Sequence, residues 1–306
     1  MNAYYVSKVL LLICIFTNST AWATPKKLRI GVSLHAYYSW VANIVGNKAD
    51  VISIIPAGSD PHSYQPRPED LIKISNLDVL VSGGLGHDDF IDSMLQAAST
   101  ENLTQINPNQ NVPLIPDSSD SSQAAQPTSP SAWNSHSFLS IISAVQQIGN
   151  ITEKLAQRDS DNRIFYKANA KGYIKKLRTL LANALSQLEQ TNNKNIKLAT
   201  VHDGYAYLFQ DLGLTIDTVV QPRHGIDPSP KQLADTIKQL KKSHTDILFT
   251  EVDYGKSFSE VVAQEVGTKV YQLSHISSGV YSKKKFEQNI NLNIQQLINA
   301  IKTYEH

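Results

Sequence analysis

Apolar positions along this chain alternate between two patterns. Short continuous runs bounded by turn residues read as buried strands. Longer stretches, with an apolar residue at every third or fourth position, read as helices that bury one face. The runs fall at 27–33, 50–56, 78–82, 196–201, 215–220, 246–251 and 269–273. The helical stretches fall at 35–45, from 68 onward, 88–97, 137–157, from 163 to about 191, 204–212, from 229 onward, 257–265 and 286–301. Strand followed by helix, repeated, predicts parallel sheets with covering helices, hence an α/β fold.

Two stretches break the alternation. Between Asn107 and Ser135 the chain is polar, small and punctuated by proline, as in Pro116-Asp117-Ser118-Ser119 and Pro127-Thr128-Ser129-Pro130, which predicts a long surface loop over 108–135. The stripe Ile164, Ala168, Ile174, Leu177, Leu181, Leu185 and Leu188 predicts one helix within 159–192, roughly 40 Å long at 1.5 Å per residue. A helix of that length between two α/β halves predicts two lobes of parallel sheet with covering helices, joined by one long rigid helix. The boundaries are then 24–158 for the first lobe, 159–192 for the linking helix and 193–306 for the second lobe.

The first 23 residues read as a secretory signal peptide and not as part of the fold. Lys8 precedes the apolar run Val9–Phe16, and Ala21-Trp22-Ala23 supplies a small-x-small cleavage site. A lipoprotein cut before Cys14 is disfavoured because Ile13 is not small. Removal of this segment takes away Cys14, the only cysteine, so the exported chain is expected to rely on core packing and not on disulfides. A periplasmic, soluble protein follows. The 306 residues carry 28 Lys+Arg against 27 Asp+Glu. This balance gives no reason to expect a nucleic-acid partner, and no polybasic run points to a membrane surface.

Candidate chemistry lies with the nine histidines. His244 follows a lysine run and His306 ends the chain. His224 lies in the turn Gln221–Gly225 and is expected to face solvent. His62, His136 and His202 occupy better places: a strand–helix loop of the first half, the junction of the polar loop with a helix, and the carboxyl end of the first strand of the second half. Ligand groups in open α/β sheets gather outside the carboxyl ends of strands, so these three imidazoles could meet between the halves as a zinc site. His35 and His87 also lie at strand–helix junctions, and either could approach the cleft.

The residues around the three histidines resemble those of a known family. Gly58-Ser59-Asp60-Pro61-His62-Ser63-Tyr64, with Pro66, Pro68 and Asp70 after it, resembles the "G-x-D-P-H-x-Y-x-P-x-P-x-D" signature of zinc and manganese solute-binding proteins of bacterial ABC importers. Asn134-Ser135-His136-Ser137-Phe138-Leu139 is similar to a degraded "D-P-H-x-W-L". Tyr166–Tyr173 is similar to "Y-x-x-N-A-x-x-Y" on the linking helix, and His202-Asp203-Gly204 to the start of "H-D-A-x-x-Y-F". Asp227-Pro228-Ser229-Pro230 is similar to "E-P-S-P".

The resemblance implies metal held between two lobes by His62, His136 and His202. Histidine, not glutamate, at the third position implies the zinc-specific branch. The cargo would be Zn²⁺ and the partner a membrane ABC permease. A periplasmic metallochaperone is a further candidate partner, and a monomer is expected. The departures are local. Where the family's "L-D-P-L" offers an aspartate, this chain has Leu273-Ser274-His275-Ile276. Ser274 is a poor zinc ligand, and His275 is read as a solvent-facing loop residue that could swing in. Glu251, at a strand end, is a candidate acceptor for a ligand imidazole. A receptor performs no chemistry, so the chain is not expected to be an enzyme. The competing readings are a zinc-dependent hydrolase, against which no H-E-x-x-H or G-x-S-x-G occurs, and a receptor of the same fold for manganese or a metal chelate.

Overall fold

The computed structural model describes residues 26–98, 100, 102–117, 132–192, 195–220, 229–252 and 256–304, and of His62, Lys256 and Ser257 the backbone alone. The predicted signal peptide, most of the polar loop and the turn holding His224 lie outside the described residues.

The strands rich in Val, Ile and Leu assemble into two parallel four-stranded sheets. The first contains β1 (Leu28–Val32), β2 (Ala49–Ser53), β3 (Val79–Val81) and β4 (Thr104–Ile106), in the order β2-β1-β3-β4. The second contains β5 (Leu198–Thr200), β6 (Thr218–Val219), β7 (Ile247–Glu251) and β8 (Lys269–Leu273), in the order β6-β5-β7-β8. Of the four central strands, β3, β5 and β7 are buried along their whole length and β1 over its last three residues, as expected of parallel strands covered on both faces. Both orders reverse beside the first strand. This opens a crevice at the carboxyl ends of the strands, where α/β folds bind ligands.

The covering helices are α1 (His35–Val45), α2 (Pro68–Ser75), α3 (Phe90–Ala97), α4 (Ile141–Arg158), α6 (Ala206–Asp211), α7 (Pro230–Lys242), α8 (Lys256–Val266) and α9 (Lys285–Tyr304), and α5 (Arg163–Leu188) is the linking helix. Some begin later than the apolar periodicity suggests. A 3-10 turn at Ser137–Leu139 precedes α4, whose helix proper waits for Ser140, the N-cap that accepts the Ser143 N–H through its hydroxyl. Another at Asp203–Tyr205 leaves α6 with six residues. α1 stops at Gly46, whose φ of 56° lies in the left-handed region.

The 26 residues of α5 span about 39 Å. Tyr166, Ala170, Tyr173, Leu177, Ala184 and Leu188 form its buried stripe. α5 is not the only link between the halves. α9, which follows the second sheet, returns to pack on α1: Trp40 meets Phe286 edge-on at 5.1 Å between centroids, and the Ser39 hydroxyl donates to the Ser282 carbonyl at 2.7 Å. One core cluster therefore runs from Ile30 and Trp40 through Tyr166 to Phe249 and Leu297.

Candidate metal centre

His136 follows a short antiparallel pairing of residues 115–117 with 132–134. Pro116 and Trp133 pair as an antiparallel bridge, flanked by Asp117 N–H to Ala132 O and Asn134 N–H to Ile115 O. Asn134, at the foot of this pairing, works in both directions. Its Oδ1 accepts the His136 backbone N–H and the ring Nδ1–H, both at 3.0 Å. Its Nδ2 donates to Asp203 O at 2.9 Å and Asp203 Oδ2 at 3.1 Å. An amide oxygen facing donors and an amide nitrogen facing acceptors fix the amide's orientation. The proton on His136 thus sits on Nδ1, and Nε2 carries the lone pair.

That lone pair faces the other half. His202, two residues beyond the end of β5, brings its Nε2 to 3.1 Å from His136 Nε2, the rings almost perpendicular at 88°. Gly204 makes room for both. A Cβ there would stand 3.0 Å from His136 Cγ and Cδ2 and from His202 Cδ2. His275 completes the group: one nitrogen each of His136, His202 and His275 lies within 4.8 Å of the other two. His87 stands beside them, its ring 4.9 Å from that of His136 and 5.4 Å from that of His275. Phe138 lies against His87, His136 and His275, giving the cluster an apolar wall. His87, His136 and His275 are buried, and His202 is half-buried.

The other sequence-read residues fall as follows. His62 lies in a 3-10 turn, Pro61–Ser63, on the loop between β2 and α2, and only its backbone is described. Tyr64 donates to Asp70, and Asp70 accepts the Arg67 N–H at 3.0 Å, which ties that loop to the start of α2. His275 does not face solvent as the sequence suggests. Asn293 of α9 holds both sides of Ser274, accepting its N–H at 2.7 Å and donating to its carbonyl at 2.8 Å. The Ser274 hydroxyl accepts the Ile276 N–H at 3.1 Å, and Ile276 takes a φ of 60°. This turn points His275 inward and occupies the serine hydroxyl. Glu251 is buried at the end of β7, between the strands that lead to His202 and His275. His35 is buried elsewhere, stacked on Tyr281 at 3.7 Å with its Nε2 donating to Gly279 O, and burial lowers its pKa. His244 is at the end of α7 with a φ of 51°.

One buried carboxylate braces this junction. Asp211 of α6 accepts from the Ser140 hydroxyl at 2.8 Å, the Ile141 N–H at 2.6 Å and the Ile142 N–H at 3.1 Å, so a side chain of the second half caps α4, the helix that follows His136. Its burial pushes its pKa up to about 6, against the opposing pull of these donors. The Tyr207 hydroxyl adds two bonds to the antiparallel pairing, accepting from Ile115 N–H at 3.0 Å and donating to Asn134 O at 2.8 Å.

The arrangement can bind a cation through neutral nitrogen donors drawn from both halves. Comparison with known proteins agrees in class. The chain matches the family described as "Zinc-uptake complex component A periplasmic" over residues 30–300. A solved structure of the SBP FpvC from Pseudomonas aeruginosa in complex with Mn²⁺ is 41% identical, with a TM-score of 0.82, covering 91% of this chain and 99% of that one. The same protein in complex with Ni²⁺ superposes with a TM-score of 0.81 at 41% identity, covering 91% and 98%. The high-affinity zinc uptake system protein ZnuA of Bacillus subtilis is 26% identical over 261 residues, 84% of this chain and 81% of its own. The iron ABC transporter substrate-binding lipoprotein MtsA of Streptococcus pyogenes is 26% identical over 281 residues, 90% and 88%.

Proposed function

The chain belongs to the periplasmic zinc-uptake component A family, and on that premise we propose that it captures Zn²⁺ between its two halves and delivers it to an import permease. In coarser terms it is a metal-binding substrate-binding protein of an ABC importer. It works outside the cytoplasm with a membrane permease and ATPase, and it is a receptor and not an enzyme. No helix among the described residues is long and apolar enough to cross a membrane.

The observation that carries the metal reading is the 3.1 Å between His136 Nε2 and His202 Nε2. Two nitrogens bound to one ion at about 2.0–2.1 Å, with angles between about 90° and 109°, lie about 2.8–3.4 Å apart. We assign His136, His202 and His275 as ligands, with His62 brought in from its loop, and Glu251 as a buried acid near the strand ends. An all-imidazole set suits Zn²⁺ and Ni²⁺ and disfavours Mn²⁺, which prefers oxygen donors. The 41% identical relative, solved with Mn²⁺ and with Ni²⁺, keeps a second reading in view: the same receptor with nickel or manganese as cargo. We take the receptor to act as a monomer with lobes at 24–158 and 193–306.

Metal content of the purified protein, followed by competitive titration with Zn²⁺, Ni²⁺ and Mn²⁺, tests the proposal. One tightly held Zn²⁺ per chain, released by His136→Ala, is the expected result. Tighter binding of Ni²⁺ or Mn²⁺ would give the cargo to the second reading, and zinc affinity indifferent to His136 would overturn the site.

A further inference from the structure

The linking helix carries a feature that metal capture does not use. Among the 26 residues of α5, Arg163, Lys167, Lys171, Lys175, Lys176 and Arg178 are basic and none is acidic, whereas the rest of the chain carries 22 Lys+Arg against 27 Asp+Glu. All six are exposed. Lys167 pairs with Glu153 at 2.7 Å and Lys176 with Glu287 at 2.6 Å. Among the described residues no ion pair neutralises Arg163, Lys171, Lys175 or Arg178. The spacing of Lys167, Lys171, Lys175 and Arg178 lines them along one side of the helix over about 16 Å. They edge a groove of about 740 Å³ between α4 and α5, whose other lining includes Gly149, Ala170 and Ala182. Because the charges are spaced along a helix face, no polybasic run shows in the sequence.

We propose that this face of α5 binds an anionic phospholipid surface and holds the receptor against the membrane in which its permease sits. Three observations favour headgroups over an acidic protein. Four of the six cations are lysines, compact charges on flexible stems that suit a diffuse anionic field better than a fixed carboxylate pattern. The exposed positions between them are small, Ala168, Gly172 and Thr179, and no aromatic side chain stands out to anchor a protein interface. Ile164, 84% exposed at the start of the helix, offers an aliphatic tip to the interface. None of these residues belongs to the histidine cluster, so the inference stands apart from the identity of the metal.

Co-sedimentation of the full chain, freed of any signal peptide, with vesicles of 30% phosphatidylglycerol in phosphatidylcholine tests it. Binding is expected at about 50 mM salt and should fall steeply at about 300 mM, where the Debye length shortens. Each basic residue near such a surface is worth about fivefold in binding, so Lys171→Gln/Lys175→Gln/Arg178→Gln should weaken it about a hundredfold. The charge-matched variant Lys231→Gln/Lys238→Gln/Lys242→Gln on α7 should bind as the parent does. Equal loss in both variants would reduce the effect to net charge and overturn the assignment to α5. Absence of vesicle binding by the parent, with α5-dependent retention on polyglutamate, would overturn it in favour of an acidic protein partner.

Discussion

The two halves of this receptor are built on one plan and differ where it matters. In each sheet a carboxylate just before the third strand clasps the backbone at the start of the first. Asp78 accepts the Arg29 N–H at 2.8 Å and Asp246 accepts the Lys197 N–H at 2.7 Å, each across 49 residues. The carboxyl ends match as well: Ser33 N–H reaches Val81 O at 3.2 Å, and Val201 N–H reaches Phe249 O at 3.0 Å. Leu34 and His202 therefore hold corresponding places. Leu34 turns into the apolar core and opens an eleven-residue helix, whereas His202 turns toward the other half and opens a 3-10 turn. The scaffold decides where a side chain is presented, and the residue there decides whether it builds core or holds metal.

Exchanging the two residues gives the largest expected effect. His202→Leu should cost more than the 10–100-fold in metal affinity typical of losing a supporting contact, measured by competition with a chromophoric chelator, while the thermal midpoint stays near that of the parent. Leu34→His should lower stability in urea by about 2 kcal/mol, because a polar ring replaces a buried aliphatic one, and should bring no second metal ion. A second bound ion in that variant would break the comparison.

The brace between the halves comes next. Asp211→Ala strands two buried donors, the Ser140 hydroxyl and the Ile141 N–H, and the part-buried Ile142 N–H, and should cost about 2–3 kcal/mol in chemical denaturation. The pH dependence follows from the raised pKa. Asp211 binds its proton more tightly in the folded chain, near pH 6, than in the unfolded chain, so its contribution to stability rises as pH falls through 6 and levels off below about 4. Between pH 7.5 and 5 the parent should gain about 1 kcal/mol relative to Asp211→Asn. A parent that loses ground to the variant over that range would show the sign to be wrong. The smallest effect concerns the duplicated clasps: Asp78→Ala and Asp246→Ala should each cost about 1–2 kcal/mol. The double variant should be additive within about 0.5 kcal/mol, as independent sites are.

The alternation of strands and helices, the long helix and the places of His136 and His202 were legible in the sequence because each depends on local pattern. His275 and His87 were legible only as alternatives, the first read as solvent-facing but able to swing in, the second as one of two further histidines at strand–helix junctions. His275 is turned inward through its neighbour Ser274, which Asn293 of α9 holds from nineteen residues away, and nothing near Ser274 signals that bond. His87 follows a Gly-rich turn that folds back because the Asp88 carboxylate accepts the Gly83 and Gly84 N–H groups at 2.7 and 3.1 Å and the Ser33 hydroxyl. The run Gly83-Gly84-Leu85-Gly86-His87-Asp88 held that signal, since an aspartate after clustered glycines invites such a closure. The periodicity starts α4 too early for a related reason: beside the local cap Ser140, the first helical N–H groups are held by Asp211, about seventy residues later in the chain.

The return of α9 to α1 also bears on how the molecule is made. Trp40 finds Phe286 only when the last elements of the chain are present, and the N-terminal half has no substitute for that packing. Until α9 is made, α1 packs only on β1, β2, α4 and α5, and the face that Trp40 turns to Phe286 stays uncovered. The last helix of the chain thus acts as a clasp, its arrival covering the part of the first helix that every earlier element leaves open.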